Sequence, residues 1–140
     1  MQIRLYQETD RSSLRLLYLT SRQSTFTWLD TSNYELNDFD NSTQDEEIWV
    51  AEEDGVLIGF VSIFREDNFI HNLYVDPKQP PRGIGSALLK AAEATFTDIG
   101  TLKCLARNEK ALAFYLKNGW QILSTGKDGK DDYYLMGSQK

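Results

Sequence analysis

Residues 82–86 read Arg82-Gly83-Ile84-Gly85-Ser86 and stand where a strand-like apolar run ends and a helix-like apolar pattern begins. Such a junction suits an anion. The first turn of a helix carries N–H groups with no intrahelical partner, together with the positive end of the macrodipole. Glycine lets that backbone approach a phosphate closely. The same two glycines would also serve a tight turn and close helix packing alone. Two other phosphate loops fit worse. A P-loop needs Gly-Lys-Ser/Thr, and Gly85 is followed by Ser86 with no lysine between. A dinucleotide fingerprint needs a third glycine where Leu88 stands, after the first strand of a parallel unit.

Few side chains here could move a proton or attack a carbonyl. His71 is the only histidine, and its reference pKa near 6.5 suits proton relay. Strand alternation sets it on the face of Leu73 and Val75, opposite Asn72 and Tyr74. A lone strand histidine can equally be structural. Glu47, Glu66 and Asp67 are carboxylates that could pass a proton through water. Tyr115 keeps its proton at neutral pH, because a phenol has a reference pKa near 10. It could protonate a leaving group or simply pack a helix face. Cys104, the one cysteine, lies among Leu102, Leu105 and Ala106 and reads as a core thiol rather than a nucleophile. With one cysteine there is no internal disulfide and no Cys-rich metal site, and no metal is expected.

These residues need a scaffold. Alternation of Ile3 and Leu5 with polar neighbours predicts a first strand, and Asp10 an N-cap. Leu14, Leu17 and Tyr18, widened by Leu16 and Leu19, predict an amphipathic helix. Residues 21–40 read as a second short helix and a loop, and residues 41–47 as a surface connection. Apolar runs at 48–52, 56–64 and 69–75 are of strand length. Glu53-Asp54-Gly55 and Asp67-Asn68 between them are turn signals, so the three form an antiparallel meander. Ile84, Ala87, Leu88, Ala91, Ala92 and Thr95 make a continuous stripe on a helix over residues 83–97. A strand at 101–106 follows. Asn108 caps a helix to Lys117 that stops at Asn118-Gly119. Strands at 120–125 and 132–136 flank the turn 127–130.

Composition bounds the function. The chain has 140 residues and a net charge of −6, with 41% hydrophobic and 26% charged residues. That is the composition of a globular protein, and the length suits one domain spanning residues 1–140. An acidic chain with no Lys/Arg block is expected to bind no nucleic acid. No stretch approaches the roughly 18 apolar residues of a membrane span, so no membrane partner is expected. The start of the chain is not a basic region followed by an apolar run, and with the single cysteine this points to the cytoplasm.

The strand, glycine turn and apolar helix resemble the cofactor motif of the GNAT superfamily of N-acetyltransferases, which reads Gln/Arg-x-x-Gly-x-Gly/Ala. A second stretch carries the resemblance further. Asn108, Ala111, Phe114, Tyr115, Gly119 and Trp120 are similar to the superfamily's Asn-x-x-Ala-x-x-Phe-Tyr-x-x-x-Gly-Phe signature. The element order matches over nearly the whole chain. One position departs: Pro80 stands where the motif has Gln or Arg, and proline has no N–H to give. Gln79 or Arg82 would then replace that contact.

The resemblance implies an α/β (α+β) fold. Its mixed, mostly antiparallel sheet would have about six or seven strands, with helices on both faces and a splay at the cofactor. It implies acetyl-coenzyme A as co-substrate. The amides of Arg82, Gly83, Ile84, Gly85 and Ser86 would hold the diphosphate. Leu73, Tyr74 and Val75 would pair with the pantetheine arm and supply an oxyanion donor, and Asn108 would contact the arm. Tyr115 would be the general acid, with His71 as a candidate base. The acceptor site would be built from residues 21–40, where Phe26, Trp28, Tyr34 and Phe39 either line an apolar pocket or cap the core, and Asp30, Asp38 or Asp40 could hold a cation. The expected activity is N-acetylation of a small-molecule amine by direct attack in a ternary complex. Acetylation of a protein lysine or N-terminus, and non-catalytic acyl-coenzyme A binding, are the alternatives. Exposed strand edges, or the strand carrying Tyr133 and Tyr134, offer a homodimer surface.

Overall fold

The computed structural model describes residues 1–138. Seven strands, β1 (Gln2–Leu5), β2 (Glu47–Glu53), β3 (Val56–Phe64), β4 (Phe69–Val75), β5 (Thr101–Leu105), β6 (Gln121–Asp128) and β7 (Asp131–Gly137), form one sheet in the order β1-β2-β3-β4-β5-β7-β6. The helices are α1 (Arg11–Thr25), α2 (Asp38–Ser42), α3 (Ile84–Glu93) and α4 (Glu109–Lys117). Neighbouring strands run antiparallel except β4 and β5, which are parallel. This is the α/β architecture with a mixed sheet and helices on both faces that the resemblance implied.

Each face of the sheet has its own core. On one side Ile84, Leu88, Leu89 and Ala92 of α3 pack with Tyr115 and Trp120 against Ala51, Val61, Ile63 and Leu102. On the other, Leu14, Leu17 and Tyr18 of α1 and Phe39 of α2 pack against Ile48, Val50 and Phe60. The period-2 alternation of β3 thus feeds both layers. Gly59 is needed where α3 crosses: a Cβ there would lie 3.0 Å from Leu88 Cδ1 and 3.0 Å from the Tyr74 carbonyl.

Several expectations shift. The third helix stops at Glu93 rather than residue 97. Past it, the Thr95 hydroxyl takes the Ala92 carbonyl at 2.7 Å, and Phe96 turns back onto the Trp120 ring, 6.2 Å between centroids. Leu16 is not on the buried stripe of α1; it is 57% exposed, while Leu14, Leu17, Tyr18 and Ser21 keep helical spacing inward. Asp10 precedes α1 but does not cap it. Its carboxylate accepts from the Gln7 N–H at 2.7 Å and pairs with Arg4 at 2.9 Å. The stretch at 41–47 is a surface connection only in part: Asn41, Gln44 and Asp45 are exposed, but Thr43 is buried and the Glu46 side chain is only 9% exposed. The strand bearing Tyr133 and Tyr134 is no edge, because β7 lies between β5 and β6; the exposed edge on that side is β6.

β4 and β5 make only two pairs, Phe69↔Thr101 and Ile70↔Leu102. Beyond Leu102 the two strands part. Leu73, Tyr74 and Val75 stay paired with β3 on one side, to Val61, Phe60 and Gly59. Lys103, Cys104 and Leu105 stay paired with β7. The result is a wedge opening in the middle of the sheet.

Candidate active site

The wedge widens into a cleft of about 1130 Å³. Its floor is β4 from His71 to Val75 and β5 from Lys103 to Leu105. The glycine turn closes one end, and α4 supplies Ala111, Phe114 and Tyr115.

At the turn, Gly83 is the N-cap of α3 with φ +84, a left-handed backbone that glycine adopts without strain. The first helical hydrogen bond is donated by Ala87 to the Gly83 carbonyl at 3.0 Å. The N–H groups of residues 83–86 therefore stand outside the helical ladder at the positive end of the helix. A Cβ on Gly83 would meet nothing within 4 Å. A Cβ on Gly85 would press on the Phe114 ring at 3.3 Å, so Gly85 keeps α3 and α4 close across the cleft. Arg82 differs from expectation. Its guanidinium is bound by Glu53 at 2.6 Å and Gln79 at 2.8 Å, and its side chain is committed away from an anion. What residue 82 retains for a phosphate is its backbone. Gln79 is tied to the same guanidinium and does not stand free as a replacement for the motif's first ligand.

Asn108 heads α4, where its side-chain oxygen accepts the Ala111 N–H at 3.3 Å. The cap takes the oxygen and leaves the amide NH₂ for the cleft. Tyr115 lies about two turns further, 9% exposed, with its ring against Phe114 and Trp120 at centroid distances of 5.2 and 6.1 Å. Burial, with the neighbouring Cys104 thiol, pushes its phenol well above the usual range, so it stays protonated. Cys104 is buried and its thiol is pushed up to about 11 by burial, so it is neutral and not a nucleophile.

His71 is displaced from its expected face. The β3–β4 register pairs Ser62 with Asn72 and Ile63 with Ile70, so His71 is the extra residue of a β-bulge. Ile70 faces the α3 side, while His71 and Asn72 both point toward α2. There His71 Nδ1 lies 2.8 Å from Glu46 Oε2. Glu46 raises the imidazole pKa above its ordinary value, against the opposing effect of burial. With Nδ1–H donated to Glu46, Nε2 carries the lone pair. Asn72 anchors the bulge: it donates to Ser62 Oγ at 2.9 Å and Ser42 Oγ at 3.1 Å, inside the core.

The loop after α1 is held by Arg22. This buried guanidinium lies between the Tyr18 and Tyr34 rings, 3.9 and 4.2 Å from their centroids, and pairs with Asp38 at 3.2 Å. The loop presents Phe26 and Trp28 to the cleft, as expected. Tyr34 instead stacks on Arg22, and Phe39 is fully buried in the α1 core. Two of the three aspartates are paired with arginines, and the third, Asp30, is exposed with only a neutral partner. Asp30 is bound to Ser32, Asp38 to Arg22, and Asp40 to Arg15 and Arg11. The carboxylates considered as relays are also elsewhere. Glu66 and Asp67 lie in the β3–β4 turn, and Glu47 binds Trp49 Nε1 and Arg65.

Sequence reasoning missed Glu46, Arg22 and Asn72. Glu46 sits in an aperiodic polar run with no signal. Arg22 and Asn72 fall at inward positions of a helix and a strand, where a polar residue is itself a sign of a buried network.

The fold and cleft agree with what comparison with known proteins finds. The sequence matches the Acetyltransferase (GNAT) family over residues 13–120. The chain belongs to that family. It is 40% identical over 75 residues to the peptidyl-lysine N-acetyltransferase YiaC of Escherichia coli (strain K12), a match spanning 54% of this chain and half of that protein. Among solved structures it resembles the PaiA N-acetyltransferase of Thermoplasma acidophilum in complex with coenzyme A. There the TM-score is 0.78 at 23% identity, with both chains covered completely. YncA of Salmonella typhimurium with its cofactor acetyl-CoA gives a TM-score of 0.70 at 21% identity, covering 99% of this chain and 92% of the other.

Proposed function

We propose that this protein acetylates the primary amine of a small molecule by direct attack in a ternary complex. The observation that carries the reading is the cleft itself. Unpaired helix-terminal amides lie at one end, and His71 and Tyr115 are in its lining. The residues present fit the donor. The N–H groups of Arg82, Gly83, Ile84, Gly85 and Ser86 suit a diphosphate. The free edge of Leu73, Tyr74 and Val75 suits the amide-bearing pantetheine arm, with the Asn108 amide beside it. Acetyl-coenzyme A supplies an activated acyl thioester.

The chain's own groups then divide the proton work. His71 Nε2 accepts the proton of the incoming amine, and Glu46 holds the ring in that tautomer and stabilises the imidazolium. A strand N–H among Leu73, Tyr74 and Val75 donates to the developing oxyanion. The Tyr115 phenol, kept protonated by burial, donates to the departing thiolate. The buried free thiol Cys104 supports a cytoplasmic setting.

A second reading is favoured by one observation. The relative from Escherichia coli is named for acetylating peptidyl lysine. Calorimetry with acetyl-coenzyme A, followed by thiol release across amine and lysine-peptide panels, decides between the two. Turnover restricted to peptides would replace the small-molecule reading. Binding with no turnover on either panel would make the protein an acyl-coenzyme A binder.

A further inference from the structure

The charge of the cleft is opposite to that of the chain. The protein has a net charge of −6. The cleft lining nonetheless carries Arg82, Lys103, Arg107, Lys110 and Lys117 against the single carboxylate Glu109. Arg82 is neutralised by Glu53. Lys110 and Lys117 belong to α4, with Glu109 on its first turn. Among the described residues none of Lys103, Arg107, Lys110 and Lys117 has an ion-pair partner, and Lys103 and Arg107 differ from the other two in what they rest on. Each rests on an aromatic face: Lys103 Nζ is 5.0 Å from the Tyr133 centroid, and Arg107 Cζ 5.5 Å from that of Trp28. Such contacts place a cation without discharging it.

The position of Lys103 matters most. It is the first β5 residue past the last β4–β5 pair, Ile70↔Leu102, so its backbone lies across the apex of the wedge from His71, while its ammonium leans over Tyr133 of β7. The donor has its phosphates at the far end, toward the glycine turn. Its thioester and pantetheine arm are uncharged. Nothing in acetyl-coenzyme A uses a cation at the apex. Arg107 and Trp28 come from opposite walls, β5–α4 and the loop after α1, so their contact bounds the same acceptor side. On that side Asp38 and Asp40 are paired with arginines and Glu46 with His71, and Asp30, which keeps its charge, is exposed and turned onto Ser32.

We propose that the acceptor is an amine with a carboxylate close to it, the carboxylate being held by Lys103 while Arg107 on the same side adds to the positive field. The assignment rests on the acetyltransferase reading of this cleft and narrows its substrate class. The pair acts in two ways. It attracts the anionic group, and its positive field disfavours the ammonium form of the adjacent amine, easing loss of the proton to His71. The same chemistry can come from a free amino acid or from a lysine in an acidic peptide.

The test uses matched acceptors with the purified chain. An amino acid is compared with its carboxamide, and a lysine peptide flanked by Asp or Glu with its Asn or Gln counterpart. Thiol release gives kcat/KM, and calorimetry on the coenzyme A-loaded protein gives binding in parallel. The carboxylate member of at least one pair should win by about tenfold or more in both readouts, as expected for a charge-assisted contact. The pair that responds identifies the source. Lys103→Gln should bring that ratio close to one by raising KM for the acid, with KM for acetyl-coenzyme A moved less than about twofold. Equal or better use of the uncharged members in both pairs would overturn the proposal. So would a rise in KM for acetyl-coenzyme A in Lys103→Gln, or acetylation of Lys103 itself seen by mass spectrometry. If acids bind selectively but no acceptor is turned over, catalysis falls and the anionic acceptor subsite stands.

Discussion

Replacing Tyr115 by phenylalanine separates packing from catalysis, because the structure gives the two roles different atoms. The ring packs against Phe114 and Trp120 and lines the cleft. The hydroxyl makes no hydrogen bond to the described residues, so its loss leaves no core partner unsatisfied. The fold should therefore lose less than about 1 kcal/mol, which at this chain length is a shift of no more than about 4 °C in Tm. Turnover should respond very differently. The thiolate departs in the transition state, and a positioned acid contributes about 10²–10⁴ in rate. A hundredfold fall in kcat, about 2.7 kcal/mol at 1.36 kcal/mol per decade, is the expected minimum. KM for acetyl-coenzyme A should hardly move, since the phenol acts on charge that develops only after binding. The raised phenol pKa adds a second expectation. The wild-type rate should show no alkaline fall from this group until pH is well above 10, its ordinary value. The assay is thiol release over a pH series, with thermal melts of both proteins. A Tyr115→Phe enzyme within about twofold of wild type in kcat, with an unchanged melt, would refute the general-acid role and leave Tyr115 as a packing residue.

Four further outcomes follow from the same geometry. Glu46→Gln removes the group that raises the His71 pKa, so the acid limb of kcat/KM should move to lower pH and the plateau should drop; a limb that stays put would show that His71 is not the titrating base. The same pair carries a stability signature. A histidine whose folded pKa is raised stabilises the fold below its unfolded pKa and loses that contribution as pH rises through the folded value, so melts of Glu46→Gln should differ from wild type more at pH 5.5 than at 8.5. Gly83→Ala places a Cβ in open space but at φ +84, and should cost about 1–2 kcal/mol in a denaturant melt through backbone strain alone. Asn72→Val strips the partner of the fully buried Ser62 hydroxyl and should cost about 1–3 kcal/mol; Ser62→Ala in the same background should recover part of it, and no recovery would mean the two are not coupled.

Much of the scaffold was written locally. The turn at Asp54-Gly55, the apolar stripe of α3 and the cap at Asn108 each depend on residues within one or two turns of each other. The glycine turn could be read for the same reason, since a phosphate site at a helix terminus is made of backbone and needs only the residue types that permit it. Two spaced motifs were then enough to indicate the family and its donor.

The reacting groups were legible by type and not by placement. His71 stood out as the only histidine, yet its direction was misread, because alternation assumes an unbroken register and the bulge at Ser62/Ile63 depends on how β3 pairs with β4. Its partner Glu46 lies 25 residues away in sequence and is brought to it only when the segment before β2 folds under β4. The same holds for charge. Asp38 and Asp40 looked available to an acceptor until the fold set Arg22 and Arg15 against them, whereas nothing local marks Lys103 as the residue beside which the sheet parts. The sequence by itself determined the backbone elements and the end of the cleft that meets phosphate, because those follow from short-range preferences. Only the tertiary structure decided which charges remain free at the wedge and which way its histidine points, because those are settled by contacts between segments far apart in the chain.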